Sequence, residues 1–502
     1  MNKESISKVI DQLALQVLEK FFVPGVAVGI IKDGHILHAK GYGVSNIENN
    51  IKVDSQTLFS IASTGKSFTS AALALLVDAG KIQWQSKVID YLPDFKLYDS
   101  WVTNEFTIKD LLIHNSGLGI GAGDLMFYPK SKNPKFSRSD IINNLRYLKP
   151  ETSFRAQFAY DNLLYVVAGE VIAAVSGISY EKFIEKKLFK PLKMKNAIAN
   201  IAHHDDLKNI ASPHIYDLNS IQLVQPDVEP GVEVVTSAAG GLLCSIESIL
   251  NWHSMLLNKG KLPNGDVLIS EKQIKEIFTP QTIKPLENHY KEAFNTHFMS
   301  YGLGWTLLDI NSYKAAMHTG ALHGMVTINL LIPDLNLGIA VYTNQQSDAS
   351  RLSLMYTVVE AFTSTNKSDW LSELYQREQD ELKKDEVSTP VITEANYTPE
   401  SGIDQYQGTF KDPWFGKVYI TKVKDQLYFR AENTERLKGK LVPYKANSFI
   451  VRWDDRSLNA DAYLNFANNN DGTPDNITMK AISTLTDFSF DFHHLNFDRV
   501  QN

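Results

Sequence analysis

Between residues 364 and 400 the character of the chain changes once, and this change constrains its architecture more than any other feature. Ser364 to Glu386 reads as a charged helix, with Glu373 and Arg377, then Asp380 and Lys384, at i,i+4 spacing and Trp370, Leu371 and Leu374 on one side. Its charge pattern is that of a solvated connector. Ser388 to Glu400 carries two prolines among polar residues, the composition of a linker. Before this boundary helical and strand patterns mix, and after it only short aromatic and β-branched runs remain. A chain of 502 residues is too long for one compact core, so two domains with a connector are expected: 1–365, a connector at 366–402, and 403–502.

In the first domain, Val23 to Lys32 and His35 to Val44 are apolar-rich runs joined at Asp33-Gly34, a hairpin signal. Thr64 to Ala79 is rich in Ala and Leu and reads as a mostly buried helix ended by Gly80. Helical patterns recur at Ile108 to Ile113, Ser139 to Leu148, Leu163 to Val175, Tyr180 to Leu188, Ser245 to Leu257 and Glu271 to Phe278. Strand character returns at Met325 to Ile332 and Leu337 to Tyr342, across the turn cluster Pro333-Asp334-Leu335-Asn336. Strands at both ends with helices between predict one antiparallel sheet flanked by helices, an α+β fold. Beyond the linker, Val418 to Ile420, Leu427 to Phe429, Phe449 to Trp453 and Phe488 to Phe492 alternate with Asn, Asp and Gly clusters, as in a small antiparallel β-barrel.

Composition excludes more than it assigns. Hydrophobic residues make up 43% and charged residues 21%, ordinary globular usage, and a formal net charge of −7 gives no basic footprint for nucleic acid. No stretch reaches the roughly 18 consecutive apolar residues of a membrane span. The amphipathic start, with Asp11 and Glu19 among Ile6, Val9, Ile10, Leu13, Val17 and Leu18, is not the apolar core of a signal peptide. A cytoplasmic location is expected on that ground, or a periplasmic one if a leader has been replaced. Cys244 is the single cysteine, lies in an apolar run and is expected in the core. His203-His204-Asp205-Asp206 reads as a solvated loop rather than a metal site, and no cofactor is expected.

The chemistry concentrates elsewhere. Ser63-Thr64-Gly65-Lys66 puts a hydroxyl and an amine three residues apart, on one face of a helix. A serine hydroxyl needs a base to become a nucleophile, and lysine serves when burial holds it neutral. The motif recurs at Ser5, Ser179 and Ser364, but only Ser63 stands at the entrance of a strongly apolar helix. Tyr160-Asp161-Asn162 adds a phenol for proton relay and an amide to hold a substrate carbonyl or orient Lys66. Other Tyr-x-Asn copies, at Tyr342 and Tyr463, fall in strand-like runs. His318-Thr319-Gly320-Ala321 stands just before the Met325 strand, and glycine there permits close backbone approach to a substrate. His323 could reach the rim of the same pocket. Thr64-Gly65-Lys66-Ser67 imitates the end of a phosphate-binding loop, but the required earlier glycine is Ser60, and no Gly-x-Ser-x-Gly elbow surrounds Ser63.

In this order the three elements resemble the signature of serine β-lactamases, penicillin-binding proteins and their esterase and D-peptidase relatives. Leu111-Leu112-Ile113-His114-Asn115-Ser116-Gly117, Ala239-Gly240-Gly241-Leu242 and Tyr301-Gly302-Leu303-Gly304-Trp305 resemble the class C, esterase and D-aminopeptidase branch. Tyr406-Gln407-Gly408 and the closing Asp487-Phe488-Ser489-Phe490-Asp491-Phe492 are similar to the lipocalin-like domain that often follows.

The resemblance implies Ser63 as acylated nucleophile, Lys66 as its base and Tyr160 as proton relay. It also implies Asn162 as orienting group and the backbone N–H groups of Ser63 and Ala321 as oxyanion hole. His318 departs from the lysine that many β-lactamases and transpeptidases carry, which removes a cation for a substrate carboxylate and moves the expectation towards esters or short peptides, D-amino-acid peptides among them. Gly119 replaces a usual proline. A β-lactamase or D-Ala-D-Ala peptidase is the alternative within enzymes, and a non-catalytic ligand sensor or assembly-forming protein the alternative outside them. A small-molecule ester, peptide or β-lactam is the expected partner, with a homo-oligomer allowed.

Overall fold

The computed structural model of the protein describes residues 3–127, 136–204, 206–217, 219–388 and 402–501. Asp205 and all but the first residue of the Ser388 to Glu400 segment lie outside these described residues. Gly25–Lys32 (β1) and His35–Asn46 (β2) form the hairpin, with Asp33 and Gly34 at φ of 51° and 76° in its turn. Ile51–Lys52 (β3) extends it, and the chain returns to the same sheet as Thr282–Lys284 (β4), Met299–Tyr301 (β5), Thr306–Ile310 (β6), Tyr313–Leu322 (β7), Met325–Ile332 (β8) and Leu337–Thr343 (β9). The nine strands run antiparallel in the order β3-β2-β1-β9-β8-β7-β6-β5-β4. β1 pairs with β9 from Val26↔Thr343 to Lys32↔Leu337, so the two ends of this domain meet in one sheet.

Alternation along the strands divides the core into two layers. Val26, Val28 and Ile30 of β1, with Ile328 and Leu330 of β8, pack on Ile6 and Ile10 of Lys3–Lys20 (α1) and on the later helix at Asp348–Thr363 through Leu354 and Met355. On the opposite face, Ala27, Ile31 and Ala340 pack with three helices: Lys66–Asp78 (α2), Leu163–Ser176 (α3) and Ile246–Leu257 (α4). Asp348–Thr363 is α5. Central strands buried on both faces read as continuous apolar runs for this reason. Each buried Val, Ile or Leu contributes about 1.5–3 kcal/mol through removal from water.

Two expected helices differ in detail. Ile108 to Ile113 is a run of turns, because the Asp110 carboxylate accepts the Thr107 backbone N–H (2.9 Å) and hydroxyl (2.6 Å) and binds the Arg155 guanidinium, an alternative to helical bonding. The charged helix (α6) runs over Trp370–Ser388, starting after Ser368, whose N–H and hydroxyl are held by Glu360. It is not simply solvated: Trp370 and Leu374 are buried in the α1/α5 layer.

The strands Gly408–Asp412, Gly416–Val423, Gln426–Ala431, Lys438–Lys445, Ser448–Trp453, Ala462–Asn468, Pro474–Ala481 and Asn496–Arg499 (β10 to β17) form a closed antiparallel barrel, sealed where Phe410 pairs with Arg499. Phe488 to Phe492, expected as a strand, is not one. It belongs to the long connection between β16 and β17, which carries a short helical turn at Phe492–His494 and leaves the barrel for the larger domain. One hydrophobic cluster runs from α2 and α3 through Phe490 and Phe492 into the barrel interior at Trp453 and Phe429. Among the described residues no single helix is long and apolar enough to cross a membrane.

Candidate active site

Ser63 lies in a short helical turn, Ala62–Gly65, that leads into α2. From Thr57 to Ala74 it is the one residue not buried. Ala62 before it holds a φ of 49°, a left-handed conformation costing an L-residue about 1–2 kcal/mol. Tight packing holds the turn: a Cβ on Gly320 would sit 2.5 Å from the Ile61 carbonyl oxygen and 2.4 Å from Thr327 Oγ1, and one on Gly240 would sit 3.0 Å from the Ala62 carbonyl carbon. The glycine of His318-Thr319-Gly320 thus lets the strand approach the serine turn itself, rather than a substrate.

Lys66 is fully buried. Its Nζ lies 2.6 Å from Asn162 Oδ1, 2.7 Å from the Ala239 carbonyl oxygen and 2.9 Å from Ser63 Oγ. Burial drives its pKa down to about 7, against the pull of Asp124 and Asp161. A neutral amine has two N–H donors and one lone pair. With the donors spent on Asn162 and Ala239, which can only accept there, the lone pair is left for the Ser63 hydroxyl proton.

Tyr160 lies with its ring centroid 4.9 Å from Lys66 Nζ. Burial pushes its phenol well above the usual range, against a hydrogen bond with Ser63, so it stays protonated at neutral pH. Asn162 Nδ2 donates to Asp124 Oδ2 at 2.7 Å, which fixes the amide so that its oxygen faces Lys66. Asp124 is buried, and desolvation together with nearby Asp491 holds its carboxyl well above the ordinary value.

His318 is buried on β7. Its Nδ1 is 2.6 Å from the Thr319 carbonyl oxygen, which can only accept, so Nδ1 carries the proton and Nε2 accepts from the Tyr301 hydroxyl at 2.8 Å. Burial, reinforced by Lys66, lowers its pKa to about 3. The imidazole is neutral and both nitrogens are occupied. His114 completes an aromatic wall, 4.3 Å from Tyr160 and 4.5 Å from Tyr301 between ring centroids.

β6 covers β7 only as far as Met317, so residues 318–322 present a strand edge beside the serine turn. The hairpin closes on Leu322↔Met325 across two residues, and antiparallel alternation then directs the Ala321 N–H away from β8, towards that open edge. Thr319 is half-buried on the same stretch. Ser63, Asn162, Ala321 and His323 all line a cleft of about 1030 Å³. His323 stands where the two domains meet, its Nε2 2.9 Å from Ser457 Oγ of the barrel.

The cleft takes walls from several elements. Phe22 and Tyr216 stack at 4.1 Å with 2° between their planes, and α6 supplies Tyr375 and Leu382. The barrel supplies Leu458, Leu485, Asp487, Ser489 and Phe490. Phe488 sets its ring edge-on against Tyr160 at 5.7 Å. Sequence reasoning missed this contribution, as it missed Asp124. The signal available was the glycine alternation Gly119, Gly121, Gly123, since a Cβ on Gly121 would lie 2.6 Å from the Phe488 carbonyl oxygen. A Cβ on Gly119, the replaced proline position, would collide with the Glu151 carboxylate.

Among the described residues, one group of three ligating side chains lies close enough for an ion: Glu151, His493 and His494. It joins the two domains, with His494 Nε2 2.9 Å and His493 Nε2 3.4 Å from Glu151 Oε1. His203 and His204 lie in and just after a short turn outside it. Cys244 is buried, and burial pushes its thiol up. The other Ser-x-x-Lys serines have different roles or settings: Ser179 caps a helix, Ser364 ends α5, and Ser5 lies in α1.

Residues 10–361 match the family described as Beta-lactamase, and residues 393–499 match a Domain of unknown function (DUF3471). An unguisins hydrolase of Aspergillus campestris is 26% identical over 487 residues, covering 92% of this chain and 87% of that protein. Protein flp of Staphylococcus aureus is 26% identical over 344 residues, covering 68% of this chain and 63% of its own length. The octameric penicillin-binding protein homologue from Pyrococcus abyssi superposes with a TM-score of 0.61 at 21% identity, over 95% of this chain and 98% of that one. SurE superposes with a TM-score of 0.56 at 16% identity, over 99% of both chains. These two structures share the fold. On the match over residues 10–361, the chain belongs to the beta-lactamase family.

Proposed function

We propose that the protein is a serine hydrolase that cleaves esters or short peptides, D-amino-acid peptides among them, through an acyl-enzyme on Ser63. The observation that carries this reading is the buried Lys66 amine, 2.6 Å and 2.7 Å from the acceptors Asn162 Oδ1 and the Ala239 carbonyl oxygen and 2.9 Å from Ser63 Oγ, an arrangement that leaves the lone pair of the neutral amine for the Ser63 proton. Neutral Lys66 takes the hydroxyl proton as Oγ attacks the carbonyl. The oxyanion forms between the N–H groups of Ser63 and Ala321, an interaction worth several kcal/mol in acyl transfer. The Tyr160 phenol protonates the departing alcohol or amine and regains a proton from the Lys66 ammonium. Water then attacks the acyl-enzyme by the same route in reverse, regenerating Ser63.

His318 bears on substrate choice. A neutral imidazole with both nitrogens occupied offers no cation and no free N–H to a carboxylate, which weighs against β-lactams and D-Ala-D-Ala termini as preferred substrates. A cleft of about 1030 Å³ lies at the upper end of small-molecule sites and has room for a peptide. The relative named as an unguisins hydrolase agrees with hydrolysis. Placement in the class C, esterase and D-aminopeptidase branch, with a lipocalin-like barrel and assembly into a homo-oligomer, is part of the same reading. Parallel assays with p-nitrophenyl acetate, D-alanyl p-nitroanilide and nitrocefin on wild type and Ser63→Ala test it. Turnover of the first or second substrate that disappears in Ser63→Ala is expected. Nitrocefin turnover exceeding both would make the protein a β-lactamase, and turnover of none would leave it a sensor or assembly protein.

A further inference from the structure

The barrel's connection between β16 and β17 does more than form a wall. Ser489 Oγ donates to Asp124 Oδ2 at 3.0 Å, the same oxygen that receives Asn162 Nδ2. Asp491, fully buried, accepts the backbone N–H groups on either side of Asp124, from Gly123 at 2.7 Å and from Leu125 at 3.2 Å. Asp124 is thus held by the barrel at its carboxylate and through the N–H groups of the residues before and after it. Its own contact with the serine site is a continuous chain of short hydrogen bonds, Asp124 to Asn162 to Lys66, ending 2.9 Å from Ser63 Oγ.

We propose that the barrel turn 487–491 is a positioning element for the base of the larger domain, with Ser489 and Asp491 acting through Asp124 and Asn162 on Lys66. This rests on the hydrolase reading above. Asp124 decides which way the Asn162 amide faces. Turned over, that amide would present N–H groups to Lys66 and compete for the lone pair that Ser63 needs. Ser489 shares Oδ2 with Asn162 and so fixes where that oxygen points. The barrel then becomes a required part of the site, and the serine turn, though complete in residue types within 1–365, is incompletely oriented without residues 487–491.

The charges run the same way. The Ser489 hydrogen bond favours ionised Asp124, and ionised Asp124 favours protonated Lys66. Removing the hydroxyl therefore lowers the pH at which Lys66 becomes neutral, while loosening its aim.

The experiment uses the full-length chain as wild type, Ser489→Ala and Ser489→Thr. The readouts are kcat and KM for p-nitrophenyl acetate across pH 5.5–9, the rate of fluorophosphonate labelling at Ser63, and thermal melting. Ser489 is half-buried, so the alanine variant is expected to melt close to wild type. Its kcat is expected to fall about tenfold with KM nearly unchanged, its rate midpoint to move to lower pH, and Ser489→Thr to restore both. A folded Ser489→Ala with wild-type kcat and an unshifted midpoint overturns the positioning role and leaves the hydrolase reading intact. A wild type that does not label at Ser63 overturns both. If Ser489→Ala melts early, Ser489→Thr decides: wild-type rate and midpoint in that variant support the role of the hydroxyl, and a tenfold loss despite a retained hydroxyl overturns it.

Discussion

In the proposed reaction Lys66 is the residue on which the chemistry turns, and burial is what changes it. A lysine in water stays protonated past pH 10, whereas here desolvation brings the amine to about 7. Only the neutral form can take the Ser63 proton, so kcat/KM is expected to rise with pH through about 7 and level off above it; a profile flat from pH 5.5 to 9 would show that another group is the base. Lys66→Arg keeps the charge and cannot deprotonate, so about a 10²–10⁴-fold loss of esterase activity is expected. Tyr160→Phe keeps the ring against His114 and Phe488 but removes the proton donor. Its kcat is expected to fall about 10²-fold or more with the melting temperature nearly unchanged. The proximity of Ser63 and Lys66 was legible in the sequence because helical spacing puts both on one face, whereas Tyr160, 4.9 Å from Lys66 Nζ by its ring centroid, was suggested by the resemblance of the ordered motifs. Asp124 was not, since its hydrogen-bond link to Lys66 runs through Asn162 and nothing local to Gly123-Asp124-Leu125 marks it.

At the scale of elements, the serine turn is held by what packs on it. Ala62 tolerates its left-handed φ because Gly240 and Gly320 let backbone close in on the turn from two sides. Gly320→Ala would push a Cβ to within 2.5 Å of the Ile61 carbonyl oxygen, and β7 and the turn must separate to admit it. A loss of about 1–3 kcal/mol in chemical denaturation is expected, together with slower acylation. Activity and stability both at wild-type level would show that this contact does not hold the serine. Period-two and helical patterns predicted β1, β2, β8, β9, α3 and α4 well, because each packs in the way its pattern implies. They misjudged Phe488 to Phe492: Phe490 and Phe492 do go inward, but into the junction between the domains instead of a barrel strand, and Phe488 stays exposed beside Tyr160.

At the scale of the whole molecule, the two domains share one continuous apolar cluster and are clasped by polar contacts around it. Asn144 donates to the Trp414 carbonyl, Asp385 of α6 accepts from Ser483 and Thr484, and His494 bridges Asp491 and Glu151. Burial works against protonating His494, but Asp491 and Glu151 outweigh it and hold its pKa above the usual 6.5. A raised histidine pKa gives stability that is full below 6.5 and lost as pH climbs through the folded value. The melting temperature of wild type is therefore expected to exceed that of His494→Gln by most near pH 5.5, with the gap closing at higher pH. A gap that widens with pH would contradict the clasp. None of these cross-domain bonds was legible in the sequence. Each pairs residues hundreds of positions apart or on either side of the boundary near residue 400, where composition marks the division but not the docking.

Whether Ser63 is a nucleophile activated by a neutral lysine is read by intact-protein mass spectrometry after exposure to a fluorophosphonate probe. One adduct per chain is expected, mapped to the peptide carrying Ser63, forming faster at pH 8 than at pH 6, absent from Ser63→Ala and forming about 10²-fold or more slowly in Lys66→Arg. An adduct on another residue, or none on a folded wild type, would contradict it.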